Sequence, residues 1–136
     1  MRHAALALMA CLAGCSLTSS GSGECVNDSQ CGEDVCAQGG ECTARSNVRS
    51  VLVKWTIDGA AASLASCAPH PDLFVRFDGT DYGDTLKFAP VSCLEGQLTI
   101  TTLPKRYRQV ELGVEGGTGS AAPIDAATAQ ATFDLQ

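Results

Sequence analysis

Six cysteines in the middle of the chain constrain its fold more than any other feature. They are Cys25, Cys31, Cys36, Cys42, Cys67 and Cys93, and two further cysteines precede them at positions 11 and 15. The first four lie in a polar stretch, residues 25–42, which is too short and too poor in apolar residues to build a core. We therefore expect disulfides to hold this stretch, each contributing about 2–4 kcal/mol, with three pairings open to four cysteines.

The first 14 residues have the pattern of an export signal. Arg2 supplies a positive charge, and residues 4–13 form an uninterrupted apolar run that ends in small residues before Cys15. This run has the length of a signal-peptide core. It is too short for a spanning helix, which needs about 20 apolar residues.

The residues Leu12-Ala13-Gly14-Cys15 resemble the lipobox of bacterial lipoproteins. The resemblance implies cleavage before Cys15, a diacylglyceryl group on its thiol and acylation, for example by palmitate, of its new amine. Two or more acyl chains give stable membrane attachment, whereas one chain holds only marginally. Ser16 follows, and no aspartate stands there, which by resemblance to enteric lipoproteins implies the outer membrane. The alternative is an ordinary secretory leader with an incidental cysteine.

Export also bears on the remaining thiols. Six cysteines in an oxidising compartment predict three disulfides, with Cys67 and Cys93 as the pair outside the cysteine-rich stretch. That bond would close a loop of 27 residues and contribute about 3.5 kcal/mol in the chain-entropy description. The alternative is a zinc site, although zinc sites usually bring two cysteines together at C-x₂₋₄-C spacing.

Composition divides the chain into five parts. We predict a signal peptide (1–14), a lipidated cysteine with a flexible tether (15–24), a cysteine-rich module (25–42), a linker (43–47) and a β-sandwich domain (48–136). The Gly/Ser-rich tether would span about 15–18 Å as a coil. The spacing of the cysteine-rich module resembles short repeats of myxobacterial envelope lipoproteins and Dickkopf-type cysteine-rich segments.

Period-2 alternation of apolar residues recurs from residue 51 onward, which is typical of strands with one buried face. Strands are predicted at residues 51–57, 73–77, 86–88, 98–103, 109–114 and 128–135. In the fourth, Leu98, Ile100 and Thr102 share a face and Leu103 lies on the other. Turn or loop chemistry separates them at 58–59, 78–84 and 116–120, and residues 60–67 suit a short helix or crossover. The pattern predicts an all-β fold, a small antiparallel sandwich.

The stretch Leu103-Pro104-Lys105-Arg106-Tyr107, followed by alternating apolar residues from Val110, resembles the LP-x-x-Y strand of prealbumin-like and carboxypeptidase-regulatory-like sandwiches. The resemblance implies an immunoglobulin-like or prealbumin-like sandwich with the tyrosine near a strand start. The usual glycine just after Leu-Pro is missing, and Lys105 and Arg106 stand there instead.

Catalytic residues are sparse. His70 is the one histidine beyond the leader, no G-x-S-x-G motif occurs, and oxidised thiols cannot act as nucleophiles. The sequence therefore predicts no enzyme and no cofactor. A net charge of −6 at pH 7 argues against nucleic-acid binding, which depends on Lys and Arg neutralising phosphates.

Three clusters offer alternative sites. Asp78, Asp81 and Asp84 supply carboxylates for Ca²⁺, though without the spacing of a known calcium loop. The cations Lys105, Arg106 and Arg108 suit either anionic headgroups or a charged strand edge that resists aggregation. Trp55 shares a face with Val51, Val53 and Ile57, which indicates core packing rather than a sugar platform.

The sequence thus predicts a non-enzymatic, lipid-anchored protein of the cell envelope, a structural or protein-binding β-sandwich module. Its expected partners are the membrane, through the acyl anchor, and another envelope protein. An accessory module that binds a glycan or peptide is the alternative, followed by a protease inhibitor built on the cysteine-rich module.

Overall fold

The structure is a computed structural model that describes residues 23–136. The predicted signal peptide, the lipidation site at Cys15 and most of the tether lie outside the described residues. Within residues 23–136 no helix is long and apolar enough to cross a membrane.

The described part of the chain is built mainly of strands, as the alternation predicted. They are β1 (Val35–Cys36), β2 (Cys42–Thr43), β3 (Val48–Ile57), β4 (Leu73–Asp78), β5 (Thr85–Val91), β6 (Gln97–Pro104), β7 (Gln109–Val114), β8 (Gly119–Pro123) and β9 (Gln130–Leu135). One short helix, α1 (Leu64–Cys67), follows β3, and single 3₁₀ turns occur at Asp28–Gln30, Arg45–Asn47 and Cys93–Glu95.

Seven of these strands form two sheets around one core. The first sheet has the order β6-β3-β9 and the second the order β5-β4-β7-β8, while β1 and β2 pair separately within the cysteine-rich module. Both sheets contribute fully buried side chains to one hydrophobic cluster, among them Val51, Val53, Leu73, Val75, Phe77, Val110 and Leu112. An all-β, sandwich-like fold is therefore confirmed.

The prediction of a wholly antiparallel sandwich is wrong in one strand pair. Strand β9 pairs with β3 in parallel, with Val53 opposite Ala131 and Trp55 opposite Phe133. Parallel neighbours need a long connection between them. Here that connection is the rest of the domain, because β3 opens the sandwich and β9 closes it.

The predicted facing of Leu103 is wrong. The register between β3 and β6 moves from Val51 opposite Ile100 to Arg49 opposite Leu103, so β6 carries one extra residue there. Such a bulge reverses the alternation that follows it. Leu103 consequently turns into the core and is fully buried.

Two further differences concern proline and small residues. Strand β5 extends beyond the predicted residues 86–88 and continues through Pro90, because β5 lies at an edge of its sheet where a missing N–H donor is tolerated. Strand β8, whose sequence is Gly-Ser-Ala-Ala-Pro, was not predicted. Its residues have low strand propensity, and pairing with β7 holds it in place.

The strand registers define two ends of the sandwich. At the end we call the module end, β3 begins beside the end of β6, with Val48 opposite Pro104. The cysteine-rich module joins β6 there, where the Gln38 amide donates to the Thr102 carbonyl at 2.9 Å. At the opposite end, which we call the far end, β3 finishes beside the start of β6 and Trp55 N donates to the Gly96 carbonyl at 2.9 Å. The ten residues of β3 separate the two ends by about 33 Å.

Replacing Leu103 tests the bulge. We expect Leu103→Ala to lower the free energy of unfolding by about 2–5 kcal/mol, since it empties a fully buried leucine site. Leu94→Ala is the control and should change it by less than about 0.5 kcal/mol, because Leu94 is 47% exposed. Urea denaturation measures both, and equal effects would contradict the buried placement of Leu103.

Candidate functional site

Two interleaved disulfides close the cysteine-rich module. Cys25 bonds Cys36 with an S–S distance of 2.06 Å, and Cys31 bonds Cys42 at 2.09 Å, which is one of the three pairings left open by the sequence. The Sγ atoms of Cys25, Cys31 and Cys42 lie within 4.8 Å of one another. All three belong to disulfides and are not thiolates, so they do not offer the ligands that zinc requires.

A charged cluster fastens this module to the sandwich. Arg106, in the connection between β6 and β7, donates from Nη1 to Glu41 of the module and from Nε to Asp84 Oδ2 at 2.6 Å. The Tyr107 hydroxyl donates to Asp84 Oδ1 at 2.7 Å. Arg106 also lies over the Tyr107 ring, 4.9 Å from its centroid. We call these four side chains the Arg106 cluster, and it joins three separate segments of the chain.

The Arg106 cluster shifts the pKa values of its members. The hydrogen bond to Glu41 raises the pKa of Arg106, so this side chain is always a cation. Burial raises the pKa of Tyr107, and the Asp84 carboxylate raises it further. For Asp84, burial acts to raise the pKa, but the hydrogen bonds from Tyr107 and Arg106 outweigh it and the pKa is lowered.

The three aspartates proposed for calcium do not come together. Asp84 belongs to the Arg106 cluster, Asp78 Oδ1 accepts from Arg76 Nε at 3.1 Å, and Asp81 is exposed on the loop between β4 and β5. Among residues 23–136, the one group of three ligand atoms within 4.8 Å is the cysteine group described above. The three aspartates are close in the sequence, but Asp78 pairs with Arg76 and Asp84 pairs with Arg106, so they do not form one site.

The predicted basic cluster of Lys105, Arg106 and Arg108 does not act as one group in the structure. Arg106 is neutralised by two carboxylates, whereas Lys105 and Arg108 are exposed. The structure adds Arg49, whose Nη2 donates to the Tyr107 carbonyl at 2.8 Å beside Arg108. The sequence contained a signal for this residue. Arg49 lies two residues before Val51, and side chains two residues apart in a strand lie on the same face, which here is the inward one.

His70 lies at the far end of the sandwich, in a cleft of about 270 Å³ that Ser120 and Asp134 also line. Asp134 Oδ1 accepts from the Thr56 hydroxyl and from the Gly59 amide, each at 2.8 Å, and these bonds lower its pKa. Within residues 23–136, His70 Nδ1 is buried without a hydrogen-bond partner. The residue types of a hydrolase are thus near one another, but the Asp–His hydrogen bond that defines a triad is not formed in the described chain.

Apolar side chains are exposed around the third disulfide, at the far end. Cys67 of α1 bonds Cys93 with an S–S distance of 2.01 Å, as expected from the cysteine count. Leu64 is 79% exposed and Leu94 is 47% exposed, and both line a shallow cleft of about 220 Å³ over this bond, together with Pro71. We call Leu64, Leu94 and Pro71 the far-end patch.

Trp55 supports the far-end patch from the core side. Its ring is buried in the core, as the alternation indicated, and its Nε1 donates to the Cys93 carbonyl at 2.9 Å. The patch therefore has a fixed base, made of a disulfide and a buried indole, under two exposed leucines.

No protein-family model, curated protein or solved structure matches the chain. The two ends of the sandwich differ in the side chains that they expose. The module end carries the Arg106 cluster and exposed cations, and the far end carries the far-end patch.

The lowered pKa of Asp84 predicts an acid-sensitive contribution to stability. A carboxylate whose folded pKa lies below the unfolded value of about 3.9 stabilises the fold above that value, and the contribution is lost as pH falls through the folded pKa. We expect Asp84→Asn to be less stable than wild type at neutral pH and to lose less stability on acidification below about pH 4. Asp81→Asn, on the same loop and exposed, is the control, and unfolding curves that are parallel for all three proteins would contradict the Arg106 cluster.

Proposed function

We propose that the chain is a non-enzymatic lipoprotein of the bacterial envelope, anchored in the outer membrane by acyl chains on Cys15. In this proposal the folded part is a prealbumin-like or immunoglobulin-like sandwich that presents a protein-contact surface away from its anchor. The role is structural or adhesive.

The positions of the two ends of the sandwich relative to the predicted anchor support this proposal. The first described residues lead directly into the cysteine-rich module, where the Cys25 amide donates to the Gly40 carbonyl at 3.0 Å. A lipid on Cys15 would therefore hold the module end toward the membrane through a tether of about 15–18 Å. The far-end patch, about 33 Å away along β3, would face outward.

The character of the far-end patch supports a protein partner. Exposed leucines over a rigid base offer apolar area whose burial stabilises a complex at about 25 cal/mol per Å², and they lose little entropy on binding because the disulfide fixes their backbone. Single exposed apolar residues are ordinary, but Leu64 and Leu94 line one cleft together.

A non-catalytic role agrees with the state of the polar side chains. Six cysteines are consumed in disulfides, and the carboxylates of Asp84 and Asp134 are occupied by structural hydrogen bonds. A glycan-binding module is favoured less, because Trp55 and Tyr107 are buried and Tyr82 alone is fully exposed among the tryptophan and tyrosine residues.

Replacing the lipidated cysteine tests the anchor. We expect Cys15→Ser to move the protein from the membrane pellet to the aqueous envelope fraction, because the acyl chains hold it there. Cys11→Ser is the matched control and should leave the protein in the pellet. If both variants stay in the pellet, or both leave it, the proposed attachment is wrong.

Photo-crosslinking tests the outward surface. A photoreactive amino acid at position 64 or 94 should give a discrete adduct with an envelope protein in intact cells, since these side chains would contact the partner. The same group at position 82, which is fully exposed at the module end, is the control. Adducts of equal yield at all three positions, or adducts at position 82 alone, would contradict a contact surface at the far end.

A further inference from the structure

Cations without carboxylate partners are concentrated at the module end. Among the eight Lys and Arg residues between positions 23 and 136, three form ion pairs with carboxylates, namely Arg76, Lys87 and Arg106. Five others form none within the described chain, and four of these occupy the segments 45–49 and 105–108. The Lys105 amide donates to the Asn47 carbonyl at 2.8 Å, so the two segments are neighbours.

Arg49 is the most unusual of the four. It lies near the start of β3, at the module end, on the same face as Val51 and Val53, and it is half-buried. Its Nη2 donates to the Tyr107 carbonyl, but within residues 23–136 its Nε is buried and has no acceptor. A buried donor without an acceptor is costly, especially on a charged group.

Arg108 adds a second positive charge to the same place. It directly follows the residue whose carbonyl Arg49 contacts, and it is exposed. Burial, together with repulsion from Arg108, lowers the pKa of Arg49. Arg49 and Arg108 thus put two positive charges on neighbouring segments, and an anion beside them would stabilise both.

The nearby carboxylates are occupied elsewhere. Asp78 accepts from Arg76, and Glu41 and Asp84 accept from Arg106. Asp125, which follows the residue paired with Arg108, accepts from the Thr128 amide at 2.7 Å and from the Thr128 hydroxyl at 2.8 Å. The described chain therefore supplies no anion for Arg49 and Arg108.

We propose that Arg49 and Arg108, with Lys105 beside them, form a binding site for a phosphate group at the module end. Arg108 and Lys105, which are exposed, would donate to the phosphate oxygens, and the positive charge of Arg49 would add to the attraction. The planar guanidinium fork matches phosphate geometry. A lipid headgroup and a free phosphate are two sources of this same chemistry.

Binding measurements on the exported Cys15→Ser chain test the site without any acyl chain, so the result does not depend on the proposed anchor. The probes are phosphatidylglycerol vesicles, phosphatidylcholine vesicles and inorganic phosphate. Binding to phosphatidylglycerol vesicles alone identifies a headgroup as the source. Binding to inorganic phosphate identifies a free phosphate. Either result supports the site, whereas binding to none of the probes overturns it.

Substitutions locate the site. Arg108→Gln should weaken binding at least about tenfold, because it removes a charged hydrogen-bond donor, and being exposed it should leave the fold intact. Arg49→Gln should weaken it similarly, with circular dichroism and thermal unfolding as checks of folding. Lys54→Gln is the matched control, since Lys54 is an exposed and unpaired cation of β3 in the described chain, away from the module end. Equal losses in Lys54→Gln and Arg108→Gln, or no loss in Arg108→Gln, would overturn the proposal.

Discussion

The burial of one face of β3 is the constraint on which the rest of the structure depends. This strand is hydrogen-bonded to β6 on one side and to β9 on the other, so it is the central strand of its sheet. Its inward side chains Val51, Val53, Trp55 and Ile57 are buried against β4 and β7 of the second sheet. Because side chains alternate along a strand, burial of this one face constrains the register of both neighbouring strands.

The connections outside this core are held by other means, and this makes the two ends of the sandwich different. At the far end a disulfide joins α1 to the turn before β6, which leaves leucines exposed over a rigid base. At the module end the Arg106 cluster joins the cysteine-rich module to two loops of the sandwich. That cluster consumes the nearby carboxylates and leaves Arg49 and Arg108 unpaired within the described residues.

Alternation predicted the strands that contain the core, because a strand with one buried face has apolar and polar residues in alternation. It failed where tertiary structure decides. The bulge that buries Leu103 and the parallel pairing of β9 depend on neighbouring strands, and β8 forms from residues without strand propensity because β7 is beside it. The site was hidden for the same reason, since Glu41 and Arg106 are 65 residues apart and no local pattern reveals their ion pair.

In the proposed orientation, the cationic module end faces the membrane and the far-end patch faces away from it. Paramagnetic relaxation by spin-labelled headgroups, measured by NMR on the acylated protein in lipid nanodiscs, tests this most directly. We expect strong broadening of the Lys105 and Arg108 amide signals and none at Leu64 or Leu94. Broadening that is strongest at the two leucines, or equal at both ends, would contradict it.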